Sequence, residues 1–109
     1  MANRYKNANF DLTTTDVTDV YTVPTESRAI IQNIHAANVG TANTEIKAFI
    51  YDDSASRAYQ FAEHTINSGD SKSMSDGPVI LEENDKLQLS AASGNVFEGT
   101  VSILEFDRT

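Results

Sequence analysis

Cysteine is absent from the 109 residues, which removes disulfides, thiolate metal ligands and thiol nucleophiles together. That fits an intracellular, reducing site of synthesis, and it is equally compatible with a stable extracellular particle. Tryptophan is also missing, so the core is modest in volume and docking on partners would add stability. No run approaches the roughly 20 apolar residues that span a bilayer, and MANRYKNANFDL lacks the apolar centre of a secretory signal. A soluble chain with no membrane partner is therefore expected. Basic residues are few: Arg4, Lys6, Arg28, Lys47, Arg57, Lys72, Lys86 and Arg108, against 16 acids, for a net charge of −8. Only Arg4 and Lys6 stand close together, so the clustered cations that grip phosphates are lacking and nucleic acid is not an expected partner. An acidic surface mainly confers solubility, or complementarity to a basic protein surface.

What remains is a pattern of short strands. A chain this long is one domain, able to bury about two-thirds of its unfolded surface without staples. Pro78 to Phe106, PVILEENDKLQLSAASGNVFEGTVSILEF, gives the clearest rhythm: two short apolar strands around EENDK, a turn at SGN, and a long final strand. Two-residue spacing puts alternate side chains on one face of a strand, and turn residues fall where the pattern breaks. Upstream, strands are expected over Phe10–Leu12, Val17–Val23 (stopped by Pro24), residues 28–38, 44–53 and 57–66, with a short one within SMSDG after a flexible NSGDSKS turn. Ile30 and Ile34 are expected on one face, with Gln32 between them, and Ile31 on the other, a mixed pattern that suggests a bulge in that strand or partial cover on both sides. Gly99 is expected at a bulge or close-packing site. No stretch carries a 3.6-residue apolar stripe. The expectation is all-β: a single antiparallel β-sandwich of about seven or eight strands, jelly-roll or Ig-like, spanning residues 10–109 behind an extended N-terminal arm at residues 1–9.

Side chains able to do chemistry are sparse and poorly spaced. His35 and His64 are the natural general bases, but no serine sits in a nucleophile elbow and neither histidine has metal-ligand spacing. Catalytic, metal and cofactor residues are therefore expected to be none. Of the acidic turns, Asp52–Asp53 and Glu82–Asp85 are where a hard cation would be sought, although EENDK lacks the alternating ligands of a calcium loop. Contact residues are better candidates. Phe49, Tyr51, Tyr59 and Phe61 fall on adjacent strands and one inferred face; if Ile46, Ile50 and Ile66 fill the core, that aromatic face points outward as a protein interface. The opposite orientation is equally open. Arg4, Tyr5 and Lys6, the locally basic piece of the arm, complete the candidate partner-binding set.

Order and spacing of four elements resemble small β-sandwich bacteriophage virion structural proteins: Tyr21–Pro24 (YTVP), Ile30–Asn38, Thr44–Asp52 and Pro78–Leu89. The resemblance covers most of the chain from about residue 20. Where a glycine commonly precedes the aspartate of the last element, this chain has Asn84, which tolerates the left-handed conformation such a turn needs. The resemblance implies a non-enzymatic virion protein, a capsid decoration or cement protein first and a neck, tail or fibre-attachment component second. It also implies other virion proteins as partners, the major capsid protein among them, and a homo-oligomer. A carbohydrate-binding module is the alternative from another class, weakened by the lack of tryptophan.

Overall fold

The computed structural model describes residues 3–107, which form nine strands and no helix. These are β1 (Asn3–Leu12), β2 (Thr18–Thr22), β3 (Ser27–Asn38), β4 (Thr44–Asp52), β5 (Arg57–Ile66), β6 (Ser71–Ser73), β7 (Val79–Leu81), β8 (Lys86–Ala91) and β9 (Phe97–Asp107). One antiparallel sheet has the order β1-β9-β3-β6, with β7 also on β3; the other runs β2-β8-β4-β5. Because β9 pairs β3 along its length, β6 and β7 share the remaining edge of β3 as two pieces of one interrupted strand. Counted so, the two sheets have the strand order of a jelly roll. The expected β-sandwich is thus present, and topology selects one of its two expected forms.

Residues 3–9, expected as an arm, are extended and hydrogen-bonded into the sheet. β1 runs antiparallel to β9 without a break, from Asn3 opposite Phe106 to Leu12 opposite Phe97. Strand pairing is a backbone property, so a polar sequence enters an edge strand where half its side chains meet water. β6 likewise lies in the segment expected as a flexible turn, while the strand expected within SMSDG stops at Ser73. One further backbone bond, from the Met74 amide to the Ile34 carbonyl at 2.7 Å, carries the pairing into the core-facing Met74.

Inward-facing alternation fills the space between the sheets. Leu12, Ile31, Ile34, Leu81, Phe97, Val101 and Ile103 from the first sheet meet Ile46, Ala48, Leu87 and Leu89 from the second, all buried. A register shift between Ile31 and Asn33 supplies the bulge expected in β3, and because the extra residue reverses the alternation it is Ile31, not Ile30, that shares the inner face with Ile34, while Ile30 faces outward. Gly99 is a close-packing site with no register shift: a Cβ there would collide with the His35 carbonyl and the ring of Phe10, its cross-strand partner. At the end of β3, buried Asn38 donates to the Ala42 and Ile66 carbonyls at 2.9 and 2.8 Å and accepts from the Gly40 amide at 2.9 Å. Asn84 is left-handed, at φ 67°. Its amide donates to the Val23 carbonyl at 3.1 Å and the Val23 amide donates to the Asp85 carbonyl at 2.9 Å, which joins the YTVP element to the EEND turn.

Candidate contact surfaces

Arg4 and Lys6 converge on an acid. Both lie on the inner side of β1, and each reaches the Glu105 carboxylate at 3.3 Å, with Arg4 also 3.6 Å from Asp107. From the second sheet the Tyr21 hydroxyl donates to the same carboxylate at 2.5 Å. Glu105 is only 1% exposed. Burial alone would disfavour its charge, but the Tyr21 hydroxyl, Lys6 and Arg4 outweigh that and hold its carboxyl below the ordinary range. Burial and then the neighbouring carboxylate push the Tyr21 hydroxyl up. The two half-exposed cations therefore close one end of the sandwich over a buried carboxylate.

A register shift also divides the aromatic set. Between Ala48 and Phe49 the β4–β5 pairing slips by one, so Phe49 stands opposite Gln60, Ile50 opposite Tyr59 and Tyr51 opposite Ala58. Cross-strand partners share a face, which places Phe49 and Tyr51 on the outer face of the second sheet and Tyr59 on the side of Ile50. Phe61 is the extra residue of the bulge. It lines a cleft of about 470 Å³ between β5 and the Met74–Val79 segment, together with Ala62, Glu63 and His64. Ile46, Ala48 and Ile66 are buried, so of the two orientations the aliphatic residues fill the core. The four aromatics are not one face. The outer face around Phe49 and Tyr51 is instead a lattice of polar contacts: Lys47 with Glu45 and Glu63, Lys86 with Asp19 and over the Tyr51 ring, and Gln88 with Asp19.

The two acidic turns, considered separately in the sequence, meet at Asp85. Its buried carboxylate accepts the Asp53 and Glu82 amides, both at 3.0 Å, and so ties the turns together. Among the described residues no three His, Asp or Glu side chains converge as a metal cluster would. Folding also brings Ser71 to His35, with Oγ and Nε2 3.0 Å apart. The pair lies exposed on an open sheet face, and His35 has no further hydrogen-bond partner among the described residues. A triad-type site needs an acid hydrogen-bonded to the histidine, and among the described residues no acid makes that bond to His35.

One surface was not evident in the sequence. On the outer face of the first sheet Tyr5 stands opposite Leu104, Leu104 opposite Ile30, and Ile30 opposite Ile80. A straight apolar row thus crosses β1, β9, β3 and β7, its ends Tyr5 and Ile80 exposed by 79% and 70%. Beside it runs a second row, Asn3–Phe106–Arg28, in the same pairing.

No family model and no curated protein matches the sequence. Solved structures do match in fold. A chain in the acidic stable capsid structure of Helicobacter pylori bacteriophage KHP30 is similar over 100% of this chain and 90% of its own, with a TM-score of 0.61 at 13% identity. A chain of the disulfide-linked pili that form Bacillus endospore appendages matches over 99% and 88%, with a TM-score of 0.60 at 6% identity. A chain of the IBDV T13 viral particle matches over 94% of this chain but 30% of its own, with a TM-score of 0.61 at 8% identity. At these identities what is shared is the sandwich.

Proposed function

We propose that this chain is a non-enzymatic structural protein of a bacteriophage virion, a decoration or cement protein that binds the capsid surface in many copies. The observation that carries this reading is the end-to-end likeness, over nearly the whole of both chains, to a chain in a phage capsid structure. The geometry supports it. Buried polar groups at Glu105, Asp85 and Asn38 serve to hold strands and turns together, which leaves the outer surface as the functional part. Modest contacts of a small sandwich become strong when a symmetric lattice repeats them. Its site of action would be the virion, with the major capsid protein as principal partner.

Particles assembled with and without the chain test this directly. The chain should be present in hundreds of copies, and its loss should lower the temperature at which the capsid melts or releases its contents. A dozen copies or fewer, with capsid melting unchanged, would instead favour a neck, tail or fibre-attachment part.

A further inference from the structure

We infer that the outer face of the first sheet is a self-association surface, on which a second copy docks face to face about a twofold axis parallel to the strands. The apolar row Tyr5–Leu104–Ile30–Ile80 and the row Asn3–Phe106–Arg28 beside it carry the inference.

Charge singles out the occupant. The chain has a net charge of −8, so two copies repel over most of their surfaces. Yet these two rows hold no carboxylate and one cation, Arg28. On the far side of the apolar row the flanking Asn7 and Ser102 are uncharged as well. Glu82 and Glu83 border Arg28 at the β7 edge; within the rows themselves two copies approach without opposing acids. The outer face of the second sheet lacks this property, because Glu45, Glu63 and Asp19 are spread across it.

Self-complementarity fixes the arrangement. A twofold along the strand direction reverses each row onto itself in the partner. Tyr5 then lies over Ile80 of the other copy and Leu104 over Ile30, while Phe106 receives Arg28, a cation on an aromatic face. The isologous contact uses each pair twice. Adjacent strands are about 4.8 Å apart, so the row is about 14 Å long. Twisted sheets stack at about −30°, which displaces the row ends by roughly 4 Å, less than one strand spacing, and the pairs survive. Four strands and three side-chain rows cover a footprint of roughly 20 by 20 Å per copy. Two such footprints fall below the lower bound of about 1,200 Å² for stable interfaces, so a reversible micromolar dimer is expected rather than an obligate one.

Sedimentation of the full chain over a range of concentrations reads the dimer directly. Ile80→Asp and Leu104→Asp should each weaken dimerisation at least tenfold, whereas Val39→Asp, which removes an exposed apolar side chain elsewhere, should leave it unchanged; circular dichroism and melting verify that each variant is folded. Since the chain has no cysteine, single replacements report register. Tyr5→Cys mixed with Ile80→Cys should give a mixed disulfide several times faster than either variant joins to itself. A chain that stays monomeric to about 1 mM overturns the inference, as does a dimer indifferent to Ile80→Asp or a Tyr5→Cys variant that couples best to itself. A monomeric chain whose Ile80→Asp variant fails to bind particles would assign the row to a capsid partner and overturn the dimer.

Discussion

Glu105 shows how far the role of one residue depends on strand register. In SILEF the apolar side chains at 103, 104 and 106 do not say which face is inside, and an acid is an unlikely core residue. Sheet pairing decides it: Ile103 and Glu105 point inward, Leu104 and Phe106 outward. Arg4 and Lys6 were legible as the one basic pair, but their acid lies about 100 residues away and only the β1–β9 register joins them. Glu105→Ala should cost about 2–3 kcal/mol, because the Tyr21 hydroxyl loses its acceptor while water screens the half-exposed cations. Glu105→Gln, which keeps an acceptor, should cost about 1 kcal/mol at neutral pH. The sign with pH follows from the lowered carboxyl. Above the ordinary value of 4.5 both folded and unfolded chains hold it ionised and its full contribution is present. As pH falls below that value the unfolded chain takes the proton first, and the contribution is lost through the folded-state value. Denaturant midpoints between pH 3 and 7 should therefore show the gap between wild type and Glu105→Gln constant above pH 5 and shrinking below 4.5.

Elements of the fold were most legible where apolar alternation met a turn, as in β7, β8 and β9. Asn84 was legible too, as a residue that tolerates the left-handed conformation it adopts, whereas Asn38 marked a strand end without revealing the three backbone groups its side chain satisfies. Two kinds of element escaped. β1 and β6 are edge pieces built largely from polar residues, and their pairing depends on a backbone partner distant in sequence. The β4–β5 bulge escaped because a one-residue slip leaves no mark in the composition but flips every side chain beyond it, which is why four aromatics expected on one face are divided. Gly99 ties β1 to β9 and β3. Gly99→Ala would force the Phe10 ring and the His35 carbonyl apart, and should destabilise by about 1–3 kcal/mol. Chemical denaturation should show it, and Gly94→Ala, whose Cβ would meet Thr13 backbone in a loop, offers a second measure of how far backbone crowding can relax. Removing residues 2–8 would strip β9 of its outer partner beyond Thr100 and leave Glu105 without both cations, so such a deletion reports on folding before docking.

At the scale of the molecule the two outer faces differ in kind. The second sheet presents ion pairs, the first an apolar row free of carboxylates, and the composition that separates them is invisible until the register is known. A net charge of −8 sets the background for any contact between copies. Dimerisation through the first sheet should accordingly strengthen with ionic strength, by roughly threefold or more between 20 and 500 mM salt, as screening removes long-range repulsion. Weakening with salt in the same sedimentation series would mean that ion pairs hold the copies together.

The place of β9 has a consequence for how the chain is made. It lies between β1 and β3 and gives both their hydrogen-bonding partner. During synthesis, β1 leaves the ribosome first yet has nothing to pair with until β9 follows it. The buried ion and the complete apolar row therefore come into being together and late. A chain broken off before residue 97 keeps only the β3–β6 and β3–β7 pairings of that sheet and has neither Glu105 nor Leu104 to complete the ion and the row.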